Sequence, residues 1–242
     1  MIIHSEEVKK ISFRLGADLC GIAPVKRFEG APQGFHPCDV LKECKSVIVL
    51  AKRFLTSTLH SKSTIPYTDV RNDLSRRMDE MAIDLSYELE SRGVLAVPIN
   101  AIGPTEWDES AKKTRGIISL KHAGELAGLG KIGKNTLLIN DKYGNMIWLS
   151  AVVTSAKLEP DPIAEYEGCI PNCKICLHSC PVKALDGISM NQKACRDYAF
   201  GTHDGGEWRI KCFTCRRACP NVLGIRNLSL KNSNRGDFNE DT

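Results

Sequence analysis

The residues most able to do chemistry in this chain are its cysteines. Eleven occur in 242 residues, and eight of them fall between Cys169 and Cys219. The other three, Cys20, Cys38 and Cys44, are scattered near the start and read as ordinary small apolar residues. The first dense run is Cys169-x3-Cys173-x2-Cys176-x3-Cys180-Pro181. The second is Cys212-x2-Cys215-x3-Cys219-Pro220, with Cys195 alone 17 residues before Cys212. In a reducing compartment thiols at this density do not form disulfides; clustered there, they bind metal. Zinc favours paired C-x2-C knuckles without a C-x3-C-P ending, and two such endings point away from it and from plain buried thiols.

Both runs resemble the bacterial ferredoxin pattern C-x2-C-x2-C-x3-C-P used twice. A four-iron cubane needs thiolates converging from several directions, and one short loop wraps only three corners. The last cysteine of each run points away and in two-cluster ferredoxins ligates the other cluster. By that cross-pairing one [4Fe-4S] cluster takes Cys169, Cys173, Cys176 and Cys219, and the other Cys180, Cys195, Cys212 and Cys215. Two departures stand out. Three residues, Ile170-Pro171-Asn172, separate Cys169 from Cys173 where two are usual, and Cys195 is detached by an insertion containing THDGGEW. His178 and His203 lie nearby and read as solvated or supporting residues, since eight cysteines suffice.

A second candidate is "GLGKIGKN", residues 128–135, which satisfies G-x-G-x-x-G and misses the phosphate-loop pattern only at Asn135. Nucleotide loops need a buried strand before the glycines and a helix after them. Here residues 117–128 carry a helical pattern and TLLIN follows as a strand, so both nucleotide readings fail. The glycines read as a helix end and a close-approach turn presenting Gly130, Lys131, Lys134 and Asn135.

These residues need a scaffold. An amphipathic helix is expected over 5–16, a strand over 17–25, and a strand buried on both faces over 46–54. The clearest helix is 69–93, with Val70, Leu74, Met78, Ala82, Leu85 and Leu89 on one stripe. A strand over 94–102 follows, and 136–155 reads as two strands around the turn DKYGN. Two prolines in LEPDPIAEYEG (158–168) mark a linker. A net charge of +4 is too mild to argue for nucleic acid. No apolar run reaches membrane-spanning length, and the first residues show no secretory or twin-arginine signal. A cytoplasmic protein without membrane attachment is expected.

The stretch LAGLGKIGKNTLLINDKYGNMIWLSAVVTS, with ISFRLGADLCGIAPV and DVLKECKSVIVLAKRF before it, resembles epoxyqueuosine reductases, whose loop reads AG-[IL]-G-W-[IF]-[GA]-K-N. The resemblance runs over roughly residues 5–222 and extends to the corrinoid domains of reductive dehalogenases. It implies an α+β fold: a nitroreductase-like α/β domain (1–160), a ferredoxin-like two-cluster domain (161–228) and a disordered tail (229–242). It also implies reductive chemistry at cobalamin, or less readily at a flavin, near Gly130, Lys131, Lys134 and Asn135, fed by two clusters and a ferredoxin- or flavodoxin-type donor. The chain departs from the family at three places. Lys131 replaces the loop tryptophan. The family's proton-donating Asp would fall within Thr114–Ile118, where none exists, leaving Asp108, or Glu106 beside it, as the substitute. No helical-repeat region follows Cys219, so a small molecule or modified base, rather than tRNA held as in that family, is the expected substrate. The competing expectation is a two-cluster electron carrier whose docking domain has lost its cofactor.

Overall fold

The run Ser46–Ala51 is buried at every position, which requires a sheet covered on both faces. The computed structural model describes residues 3–109, 113–202 and 206–225 and supplies such a sheet. Its body contains α1 (Ser5–Arg14), β1 (Leu19–Pro24), α2 (Pro37–Val40), β2 (Ser46–Arg53), α3 (Ile65–Glu90) and β3 (Ala96–Ile99). A small ribbon, β4 (Glu106–Asp108) with β5 (Lys113–Arg115), and α4 (Leu120–Leu126) follow. Then come β6 (Lys131–Ile132), β7 (Leu138–Ile139) and β8 (Ile147–Thr154). The cysteine-rich part adds α5 (Ile175–His178), α6 (Gln192–Ala199), β9 (Phe200–Thr202), β10 (Trp208–Ile210) and α7 (Thr214–Arg217).

The main sheet has the order β1-β2-β8-β3, and every neighbouring pair is antiparallel. Side chains alternate between its faces. Ile48, Leu50, Ile22 and Val152 meet Val8 and Ile11 of α1 and Met78, Ala82, Leu85 and Leu89 of α3. Val47, Val49, Ala51 and Val153 meet Ala123 of α4 and Ala127 just after it, with Phe28 and Leu129. Helices therefore cover both faces, which explains why an antiparallel strand reads as a continuous apolar run.

The stretch 136–155 holds two strands around the DKYGN turn, as expected, but they do not pair with each other: β7 pairs with β6, while β8 is flanked by β2 and β3 and has no free edge. Asn140 redirects the chain between them. Its Oδ1 accepts from the backbone N–H of Lys142 and of Tyr143, each at 3.0 Å, and its Nδ2 donates to Leu129 O at 2.7 Å. Residues 158–168 are also no free linker. Asp161 accepts from Lys9 Nζ at 2.5 Å and from Ile22 N at 2.9 Å, and Arg27 donates to Asp161 O at 2.8 Å. Further on, Tyr166 Oη accepts from Asp141 N at 3.0 Å. The expected tail lies outside the described residues.

A third apolar core joins the body to the cysteine-rich part: Phe54, Tyr67, Leu74, Ile139 and Met146 pack with Ile210, Cys219 and Val222. Within it Tyr67 is stacked between Phe54, at 4.7 Å between ring centroids, and Phe213, at 3.9 Å. Among the described residues no helix is long and apolar enough to cross a membrane.

Leu85 is fully buried under the sheet and Tyr87, on the same helix, is 68% exposed. Leu85→Ala is expected to cost about 2–5 kcal/mol in urea unfolding, and Tyr87→Ala no more than about 0.5 kcal/mol. Equal losses would contradict the assignment of the α3 face.

Candidate metal centre

The cysteine runs fold as single helical turns that cannot bury themselves. α5 carries Cys176 and leads to Cys180-Pro181, and α7 carries Cys215 and leads to Cys219-Pro220. The two turns pack on each other. The extra residue between Cys169 and Cys173 is absorbed by a tight turn, in which Cys173 N donates to Ile170 O at 3.1 Å. Asn172 sits there at a φ of 59°, a conformation asparagine tolerates. Cys195 lies on α6, and the insertion after it completes that helix and forms the β9–β10 ribbon, which brings the chain back to Cys212.

This packing sorts the eight thiols into two sets of four. Cys169, Cys173, Cys176 and Cys219 line one narrow cavity together with Lys134, Asn135 and Asn221. Burial pushes the Cys219 thiol up to about 11. The backbone N–H of Asn221 opposes that rise, and Cys169, Cys176 and Cys173 add to it. Cys215 is also pushed up to about 11, by burial first; Arg216 opposes the shift, and Cys195, Cys212 and Cys180 reinforce it. Cys195 is raised by burial and then by Cys180 and Cys212. Each set thus takes the last cysteine of the other run, Cys219 in one case and Cys180 in the other. Gathered like this, thiolate charges repel one another, and a bound thiophilic cation would offset that repulsion.

Among the described residues no group of three or more His, Cys, Asp or Glu has the geometry to hold one metal ion. His178 is exposed, as expected of a solvated residue; His203 lies outside the described residues.

The glycine loop is where the body reaches both sets. Gly128 follows α4 with a φ of +77°, and a Cβ on Gly130 would lie 2.4 Å from Ile139 O, so the loop backbone packs directly on β7. Lys134 N donates to Cys169 Sγ at 3.4 Å, and Lys134 Nζ donates to Cys173 O at 3.0 Å. Asn135, 3% exposed, donates from Nδ2 to Cys215 O at 3.3 Å and accepts from Leu137 N at 3.2 Å. Lys131 pairs through its backbone with Ile139. Its side chain packs against Gly168, where an added Cβ would come within 3.0 Å of the Lys131 Cβ.

Asp108 is held elsewhere. On β4 its carboxylate pairs with Arg115 Nε at 3.2 Å, and that guanidinium lies 4.8 Å from the Phe35 ring. The cavity beside the second cysteine set does not include Asp108. It measures about 170 Å³ and is formed by Leu120 and Lys121 of α4, Thr136–Leu138, Asn145, Ile147–Leu149 and Arg216, with Ala101 at its edge. Arg216 was not apparent from the sequence. It is 6% exposed, donates to Asn145 O, and lies 5.9 Å from the Phe54 ring and 5.8 Å from that of Trp148. Its position inside a C-x3-C turn was the available signal.

No family model matches the chain. Over 121 residues it is 33% identical to epoxyqueuosine reductase of Staphylococcus aureus, a match covering 46% of this chain and 31% of that protein. Over 107 residues it is 36% identical to the enzyme of Listeria monocytogenes, covering 40% and 27%. The match thus spans less than a third of these relatives' length. Among solved structures, epoxyqueuosine reductase from Streptococcus thermophilus superposes with a TM-score of 0.63 at 21% identity, over 91% of this chain and 66% of that one. A catabolic reductive dehalogenase superposes at 0.69 and 18% identity, over 94% and 33%. Over these partial matches the chain is similar in sequence to epoxyqueuosine reductases. Its mixed helix–strand fold is that of epoxyqueuosine reductases and reductive dehalogenases.

Asn135→Ala removes two bonds made from a buried position and is expected to cost about 1–3 kcal/mol in thermal or urea unfolding. Lys131→Ala, at a half-buried side chain, is expected to stay within about 0.5 kcal/mol. The reverse order would show that Lys131, not Asn135, fastens the loop.

Proposed function

We propose that this protein is an iron–sulfur oxidoreductase of the epoxyqueuosine reductase-like kind, working as a nitroreductase-like body over residues 1–160 and a ferredoxin-like unit over 161–228, in the cytoplasm. The observation that carries the reading is the sorting of eight cysteines into two sets that each borrow from the other run. One [4Fe-4S] cluster is assigned to Cys169, Cys173, Cys176 and Cys219, and the second to Cys180, Cys195, Cys212 and Cys215. The donor chemistry fits: four thiols per set, with the Lys134 N–H directed at Cys169 Sγ. When bound, such clusters store and relay single electrons. The chain's own residues hold the two sets at a fixed separation through Lys134 and Asn135, and a hydrogen bond to a ligand sulfur raises reduction potential. Arg216 places a buried positive charge beside Cys215, which favours the reduced form of whatever is held there.

The acceptor in this reading is a corrinoid, the group named for the B12-dependent dehalogenation of one structural neighbour. The cavity of about 170 Å³ between α4, β8 and Arg216 does not enclose one; drug-sized ligands already take roughly 300–1,000 Å³, and a corrinoid is larger. No step is therefore derived through cobalt, and Asp108, held by Arg115, is given no proton-transfer role. The second reading is a two-cluster electron carrier without its own catalytic cofactor. One solved relative is in complex with an epoxyqueuosine-modified tRNA stem loop. A modified base is therefore the substrate class to test first, ahead of other small molecules.

Anaerobic reconstitution is expected to give about eight iron atoms per chain, four per cubane. Cys219→Ala and Cys180→Ala are each expected to remove about half of that iron and to leave one cluster signal in electron paramagnetic resonance. Binding of zinc alone, without iron, would refute the cluster assignment. Adding cob(II)alamin then separates the two readings: a shifted corrin spectrum supports the reductase, and an unshifted one supports the carrier.

A further inference from the structure

A cleft of about 460 Å³ opens where the chain entering α3 meets α6 and β10. Three cations line it, Lys62, Arg209 and Lys211, together with Tyr198 and one acid, Asp197. Lys193 already holds the Asp197 carboxylate, at 2.6 Å, so the cleft presents net positive charge to solvent. Lys62 and Lys211 are exposed, Tyr198 adds ring surface that is 46% exposed, and Trp208, 44% exposed, precedes Arg209 outside the lining. Arg71 lies 5.7 Å from the Trp208 ring.

The cleft's position in the chain matters as much as its charge. Tyr198 follows Cys195 by three residues on α6, hence on the same helix face. Lys211 directly precedes Cys212, and its backbone N–H binds Ala199 O at 2.7 Å. Two residues of the cleft wall, Tyr198 and Lys211, are thus one helical turn and one residue in the chain from cysteines of the second set. A site that admits electrons to that set needs a partner brought close and oriented quickly, and a basic cleft does this for an acidic surface by steering the encounter.

We infer that this cleft is the docking surface for a reducing partner protein, a one-electron carrier with an acidic face. The inference rests on the two-cluster reading and deepens it by naming the entry point: the carrier loses one electron as the cluster held by Cys180, Cys195, Cys212 and Cys215 gains one. A nucleic acid strand would also meet cations and rings here, but a carboxylate in the lining and the adjoining cysteine set favour the carrier.

The test uses full-length protein reconstituted with iron and sulfide and mixed anaerobically with a reduced acidic flavodoxin in stopped flow. Lys62→Glu/Lys211→Glu is expected to slow cluster reduction about tenfold or more at low salt and to flatten its salt dependence. The remote control Lys10→Glu/Lys26→Glu is expected to react like the parent, and dithionite should bleach all three to the same extent. Fully loaded protein whose flavodoxin rate is indifferent to the cleft reversal overturns this inference alone. So does a reversal that abolishes binding of an RNA stem loop while leaving the flavodoxin rate intact. A parent chain that takes up no iron overturns the cluster reading, and this one with it.

Discussion

The constraint on which the molecule turns is electrostatic crowding. Eight thiols are drawn into two sets on a segment whose helical turns are only four residues long at α5 and α7, too short to be stable alone. Burial and mutual repulsion both raise the thiols: Cys219 and Cys215 are each pushed up to about 11. Such a segment cannot fold by collecting cysteines. It needs apolar surface from elsewhere, and the third core provides that surface, with Cys219, Val222 and Ile210 packed under Phe54, Leu74 and Met146. The stack of Phe213 on Tyr67 on Phe54 runs from between Cys212 and Cys215 to the end of β2. Aromatic pairs of this kind add about 0.5–1.5 kcal/mol each beyond their burial.

The glycine loop supplies what apolar packing cannot, namely direction. Stacked rings tolerate sliding, but a hydrogen bond from Lys134 N to Cys169 Sγ and one from Asn135 Nδ2 to Cys215 O fix each set against one rigid point. Both residues lie within a few positions of β6 and β7, whose pairing is anchored by the direct approach of Gly130 to Ile139. The loop thus touches both cysteine sets from adjacent residues, one hydrogen bond to each.

What was legible in the sequence follows from the range over which each signal acts. The α3 stripe, the buried β2 run and the helix-before-glycine order are set by neighbours a few residues apart, and the structure has all three. The grouping into two sets of four is the one expected from the ferredoxin pattern that the two runs resemble, in which the last thiol of each run serves the other cluster. The strand pairing of 136–155 was not legible, since β8 chooses partners about 50 and 100 residues away and Asn140 bends the chain by side-chain bonds no periodicity reveals. Residues 158–168 looked free because their prolines advertise a turn, while the bonds of Asp161 to Lys9 and Ile22 span more than 130 residues. Arg216 escaped notice because a buried arginine leaves no mark on hydrophobic patterning.

Lys131 was the residue whose charge looked most out of place in the loop, and the fold gives it a modest part: its side chain packs on Gly168 and its backbone closes the β6–β7 pair. A Cβ added at Gly168 would lie 3.0 Å from the Lys131 Cβ and 3.1 Å from its carbonyl oxygen, tighter than side chains normally approach. Glycine at 168 therefore lets the segment entering Cys169 cross close over the loop backbone, beside the Lys134 N–H that donates to Cys169 Sγ.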